Sequence, residues 1–161
     1  MKILVTGGAG FIGGITSKLL IEKGHDVVIY DSLIKGHRET IDFLKCDFVE
    51  GCLSNKKLLN QTFRKFKPEV VIHFASFIEA GESMKSPFEF FQNNVFYGLN
   101  LLEKMVQNNV KQIIYSSSAG IYKASNNFLK ENSLKEPSNV YGETKLMFEE
   151  ILKWYHKIYN I

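Results

Sequence analysis

The chain predicts an α/β fold, a doubly wound parallel sheet with helices on both faces. Three observations carry that reading: strands that are apolar at nearly every position, helical apolar spacing between them, and a glycine-rich turn joining the first strand to the first helix. Strands without polar alternation are buried on both faces, which happens where helices cover each side of a parallel sheet.

The elements follow in order. Lys2 to Thr6 is a short β-branched run ending on Gly7 and Gly8. Ile12, Ile15, Leu19 and Leu20 have helical spacing, and Gly24 supplies a stop, so Phe11 to Lys23 reads as a helix. Asp26 to Tyr30 is a second strand, and Asp47 to Glu50 a short third. Ser32 to Phe43 is polar and carries no assignable period. Asn55 can cap a helix running to about Lys67, which Pro68 closes. Glu69 to Phe74 is a strand, Pro87 opens one long helix to about Asn109, and Gln112 to Ser117 is a fifth strand. Lys123 to Asn139 is a loop of a length that usually signals function, and Tyr141 to Tyr159 is the last helix.

With 161 residues and 45% hydrophobic content, the chain supports one ordinary core, so residues 1–161 read as one domain. The net charge of +3 comes from scattered lysines, a pattern that gives nucleic-acid binding no support. Cys46 and Cys52 lack metal-ligand spacing and no export signal accompanies them, so reduced thiols in a cytoplasmic protein are expected, with no metal. The apolar start ends at Gly7, too early for a membrane span.

Two constellations carry chemistry. Gly7, Gly10 and Gly13 lie between the first strand and helix, where backbone can approach a pyrophosphate at the helix N-terminus. Asp31 ends the second strand, where a carboxylate can accept from ribose hydroxyls and repel a 2′-phosphate, favouring NAD over NADP. The second is Tyr141 with Lys145, four apart on one helix face. Making a tyrosine basic at pH 7 takes about 4 kcal/mol, and an ammonium about 4 Å away supplies that order at an effective dielectric near 20.

With Thr6-Gly-Gly-Ala-Gly-Phe-Ile-Gly13, His73-Phe-Ala75, Asn93-Asn94, Ser116-Ser-Ser118 and Tyr141 with Lys145, the chain resembles the NAD-binding, Rossmann-type half of the extended short-chain dehydrogenase/reductase family. The resemblance runs over the whole chain. Glu79-Ala-Gly-Glu-Ser83-Met-Lys-Ser-Pro87 and Ser118-Ala-Gly120-Ile-Tyr122 resemble its UDP-glucose 4-epimerase branch. Ala119 and Gly120 stand where related dehydratases and decarboxylases carry acids, which makes those the second choice among enzymes.

The resemblance implies that Phe11, Ile12, Asp31 and Gly36 line the NAD site, completed by Phe74, Ala75, Ser76 and Asn94. It implies that Ser118 bonds the sugar's 4-oxygen and that Tyr141 takes the 4-hydroxyl proton. Lys145 would hold the nicotinamide ribose and keep the tyrosine acidic. Hydride would leave C4 of a UDP-hexose for NAD and return to the other face of a 4-keto sugar. A homodimer through the helices at 87–109 and 141–160 is also implied.

The chain departs from the pattern in four places. Cys52, followed by Leu53, stands where the family has an aspartate for the adenine amino group, at a net cost of about 1 kcal/mol. Lys123 replaces a glycine and Val140 a proline near the loop delivering Tyr141. The family continues for about as many residues again, so the substrate domain is expected to be absent and the chain inactive alone. A truncated piece, a split gene and a decayed frame all fit. A non-catalytic dinucleotide-binding or interaction module therefore stands beside the epimerase reading.

Overall fold

The computed structural model describes residues 1–161. Strands β1 (Lys2–Thr6), β2 (Asp26–Asp31), β3 (Asp47–Glu50), β4 (Val70–His73) and β5 (Gln112–Tyr115) form one sheet in the order β3-β2-β1-β4-β5. Every pairing is parallel; Val5, for example, lies between Ile29 on β2 and Ile72 on β4. The chain winds outward from β1 in one direction and then in the other. The crevice where the order reverses, at the C-terminal ends of β1 and β4, is where such sheets bind ligands.

Helix α1 (Phe11–Glu22) covers one face with the segment that follows β2. Leu20, Ile21, Leu33, Ile41 and Leu44 pack there on Ile3, Val5, Val27, Ile29 and Ile72. The polar stretch Ser32–Phe43 thus hides a few apolar anchors around a 3-10 turn at Arg38–Thr40. Helices α2 (Lys56–Phe66), α5 (Tyr97–Gln107) and α6 (Val140–Tyr159) cover the other face, where Leu59, Phe63, Leu101, Leu102, Met105 and Phe148 meet Leu4, Val28, Tyr30 and Val71. Asn55 caps α2 as expected, its side-chain oxygen accepting from Leu58 N–H at 3.0 Å.

The expected single helix from Pro87 to Asn109 is interrupted. It consists of α4 (Pro87–Phe90), a π-helical stretch Phe91–Phe96, and α5, preceded by a one-turn helix α3 (Ala80–Ser83) that was not expected. The wider π turns rotate the faces. Phe90, Val95, Leu101, Leu102 and Met105 are buried, whereas Phe88 and Phe96 are 72% and 60% exposed. A stripe counted at uniform α spacing, joining Phe88 to Leu102, therefore mixes the two sides. Two strands are also shorter than expected, ending at His73 and Tyr115.

Strand β5 has a partner on only one side, and Ile114 is 59% exposed on it. A trough of about 950 Å³ runs beside it, lined in part by Ile113, Ile114, Tyr115, Leu152 and Ile161. No helix is long and apolar enough to cross a membrane.

Candidate active site

The C-terminal ends of the strands open into a cleft of about 850 Å³. Its floor is the glycine turn after β1. Gly7 has φ of 74°, and a Cβ there would lie 2.5 Å from Ala75 N. At Gly13 a Cβ would run into the Gly7 carbonyl oxygen and lie 2.8 Å from Gly8 Cα. These two glycines let α1 begin directly against the turn. Gly10 is the N-cap and offers no side-chain cap, so the first-turn N–H groups at Phe11 and Ile12 have no intrahelical acceptor. Uncapped N–H groups at a positive helix end suit a diphosphate.

Asp31 is fixed beside this turn and is 8% exposed. Its Oδ2 accepts from Ala9 N–H at 2.9 Å and its Oδ1 from Leu33 N–H at 2.8 Å. Each oxygen keeps a lone pair for a ribose hydroxyl. Leu33 adopts φ of 58° to make its bond.

At the other end, Asn139 caps α6 by accepting from Gly142 N–H at 2.9 Å, and Tyr141 N–H donates to Ser83 Oγ at 3.1 Å. Lys145, one turn later, is 2% exposed and donates from Nζ to the Ser116 carbonyl at 2.9 Å. The ammonium lies 5.0 Å from the Tyr115 ring centroid and 5.8 Å from that of Tyr141. Burial lowers the Lys145 pKa to about 8. It stays mainly charged at pH 7, one helix turn from Tyr141 and on the same wall of the cleft. Beneath it, fully buried His73 shares a 2.7 Å hydrogen bond with Thr6 Oγ1; burial and then Lys145 push its pKa down to about 3.

Of the residues singled out in the sequence, Gly7, Gly10, Phe11, Ile12, Gly13, Asp31, Gly36, Cys52, Leu53, Phe74, Ala75, Ser76, Tyr141 and Lys145 all line this one cleft. Asn94 does not. The π stretch turns it inward, where its Oδ1 accepts from Phe77 N–H and its Nδ2 donates to Phe77 O and Thr144 Oγ1. Asn93 lines the cleft in its place. Ser118 also lies outside the cleft wall, in a turn packed on the start of α6, its Oγ accepting from Gly120 N–H at 3.1 Å. Ser116 and Ser117 line the wall, and Ser117 Oγ donates to Glu149 at 2.6 Å.

Lys35 was not singled out in the sequence, and Glu79 only as the start of a quoted stretch with no role assigned, yet both line the cleft. Nothing in the sequence marks two residues 44 positions apart as neighbours, nor marks a backbone carbonyl such as that of Ser116 as the lysine's anchor. Cys52 lines the cleft at the β3 end, its Sγ accepting weakly from Ser54 N–H at 3.5 Å. Lys123 fits without disruption: its N–H donates to Leu134 O at 2.8 Å and its Nζ meets Glu136 at 3.1 Å.

The sequence of residues 3–161 matches the NAD dependent epimerase/dehydratase family. The chain belongs to that family. It is 40% identical to a UDP-glucose 4-epimerase of Lacticaseibacillus casei over 162 residues, covering all of this chain and 49% of that protein. Its fold superposes on UDP-glucose 4-epimerase of Brucella ovis in complex with NAD with a TM-score of 0.95, at 38% identity, covering 99% of this chain and 49% of that one. On the Thermotoga maritima enzyme with UDP-glucose the TM-score is 0.93 at 32% identity, covering 100% of this chain and 53% of that one. The chain thus spans about half the length of the relatives it matches.

Proposed function

We propose that residues 1–161 are one NAD-binding domain and the hydride-transfer half of a nucleotide-sugar 4-epimerase acting on a UDP-hexose. The observation that carries the reading is the buried Lys145 ammonium, anchored on Ser116 O beside the Tyr141 ring, in the same cleft as the uncapped glycine turn and Asp31. The relatives of known structure hold NAD or UDP-glucose, which supports the choice of cofactor and substrate.

The residues fit the cofactor. The glycine turn and the first-turn N–H groups of α1 would hold the diphosphate, Asp31 the adenosine ribose, and Lys145 the nicotinamide ribose. NAD, when bound, supplies the acceptance and return of hydride at sugar C4. Tyr141 removes the 4-hydroxyl proton and gives it back after the face has changed. Lys145 favours the phenolate that this requires. Ser118 keeps its hydroxyl hydrogen free of the Gly120 contact but lies outside the cleft wall, so bonding the sugar's 4-oxygen requires its turn to move toward the cleft. The reading assigns the rest of the substrate pocket to sequence of the kind that the longer relatives carry beyond the matched half.

The test has two steps. NADH titrated into the chain should bind, and co-expression with the C-terminal half of the L. casei enzyme should give conversion of UDP-galactose to UDP-glucose. Tyr141→Phe should then lose at least about 100-fold in rate while keeping the dinucleotide. A chain that holds no NAD and binds no NADH defeats the reading. The half-length match favours one rival, a dinucleotide-binding module without turnover, and it predicts NADH binding but no rate with any complementary half.

The same reading includes a homodimer. Phe88, Phe96, Trp154 and Ile158 are 72%, 60%, 59% and 63% exposed on the helices at 87–109 and 141–160, an apolar surface that a second copy would cover. Light scattering at increasing concentration measures it.

A further inference from the structure

Strands β2 and β4 flank β1, so the loops leaving their C-terminal ends rise on either side of the glycine turn. Neighbouring strands are about 4.8 Å apart, so any link between these loops crosses about 10 Å over that turn. The link exists: Lys35 Nζ lies 2.9 Å from Glu79 Oε1. Both ends are anchored. The Lys35 loop is tied down by Leu33 N–H on Asp31 Oδ1 at 2.8 Å and by His37 N–H on Ala9 O at 3.1 Å. Glu79 Oε2 accepts from Ile78 N–H at 3.2 Å, and Glu79 immediately precedes α3, whose Ser83 holds the Tyr141 N–H. Glu82, the next acid along, is occupied by Lys85 at 2.9 Å.

We propose that Lys35 and Glu79 form a strap across the diphosphate path that sets the residence time of a bound dinucleotide. The inference rests on the NAD reading above. A dinucleotide stretching from Asp31 to Lys145 passes from the β2 side of the turn to the β4 side, beneath this pair, and it leaves only when the pair parts. The side chains of Lys35 and Glu79 are 60% and 38% exposed, so the pair opens readily and its effect is modest. Exposed pairs of this kind correspond to about two- to five-fold in a rate.

The experiment loads the chain with NADH, chases with excess NAD and follows the loss of NADH fluorescence by stopped flow. Lys35→Met and Glu79→Gln should each speed release by about two- to five-fold, and the double variant should be no faster than the faster single. The exchanged pair, Lys35→Glu with Glu79→Lys, should restore slow release. About 0.5 M salt should erase the differences. Wild-type release rates in every variant overturn the strap. So does a split result in which Lys35→Met weakens binding, Glu79→Gln tightens it and the exchange restores nothing, since that assigns Lys35 to the phosphates alone. Failure of the wild-type chain to bind NADH removes the dinucleotide reading and the strap with it. Binding with unaltered release removes the strap only.

Discussion

Replacing Lys145 with methionine tests the energetic position of the buried ammonium. The residue is 2% exposed, and burial lowers its pKa from 10.5 to about 8. Between those values the unfolded chain still carries a proton that the folded chain has released. Stability therefore rises with pH through that window, and the cost of the buried charge is fully present below pH 8. From pH 7 to pH 9.5 the gain is about 2 kcal/mol, each pH unit well inside the window contributing about 1.4 kcal/mol. Tyr30 and Tyr115, whose pKa values burial raises, act in the opposite direction from about pH 10 upward, beyond this series, and both proteins contain them. Urea unfolding followed by circular dichroism at pH 7, 8, 9 and 9.5 measures the difference. Wild type should gain about 2 kcal/mol on Lys145→Met across the series, equivalent to about 4–8 °C in melting temperature for a chain of this size. Parallel profiles for the two proteins would refute the argument, because they would mean the ammonium is as well solvated in the fold as in the open chain.

Three further outcomes follow from the same geometry. His73 is neutral in the fold, with a pKa of about 3 against 6.5 unfolded, so stability falls as pH drops below 6.5. Acid titration should cost wild type about 2 kcal/mol between pH 7 and pH 5, a loss that His73→Gln should not show. Gly13→Ala forces a methyl against Gly7 O and Gly8 Cα; it should cost about 1–3 kcal/mol in urea and abolish NADH binding. Ser83→Ala strips the acceptor from Tyr141 N–H and should cost about 1–3 kcal/mol, with faster amide exchange at Tyr141.

Apolar runs made four of the five strands legible, with Asp47–Glu50 the faintest, and alternation with helices made the parallel sheet legible but not the order of its strands. The placement of the glycine turn and Asp31 in one cleft was equally open to reading, because Gly7, Gly13 and Asp31 act through local sequence: a turn, a close approach and a strand end. The π stretch was not. Phe91-Gln-Asn-Asn-Val-Phe96 contains no proline or glycine to mark a change of period, and a wider turn preserves helical appearance while rotating everything after it. That rotation is why Asn94 faces Thr144 and Asn93 faces the cleft. The Lys35–Glu79 contact and the Ser116 carbonyl under Lys145 depend on tertiary placement, which no local pattern encodes. The loop from Lys123 to Asn139 has no regular structure apart from an isolated bridge between Tyr122 and Lys135, and Lys135 reaches Glu149 to fasten it to α6.

The unshared margin of β5, with Ile114 bare beside it, gives the chain a sticky side. Amides and carbonyls that find no neighbour within the molecule hydrogen-bond to water until some other backbone displaces it. In dilute solution that water is enough; at high concentration the same ribbon is open to pairing with another strand.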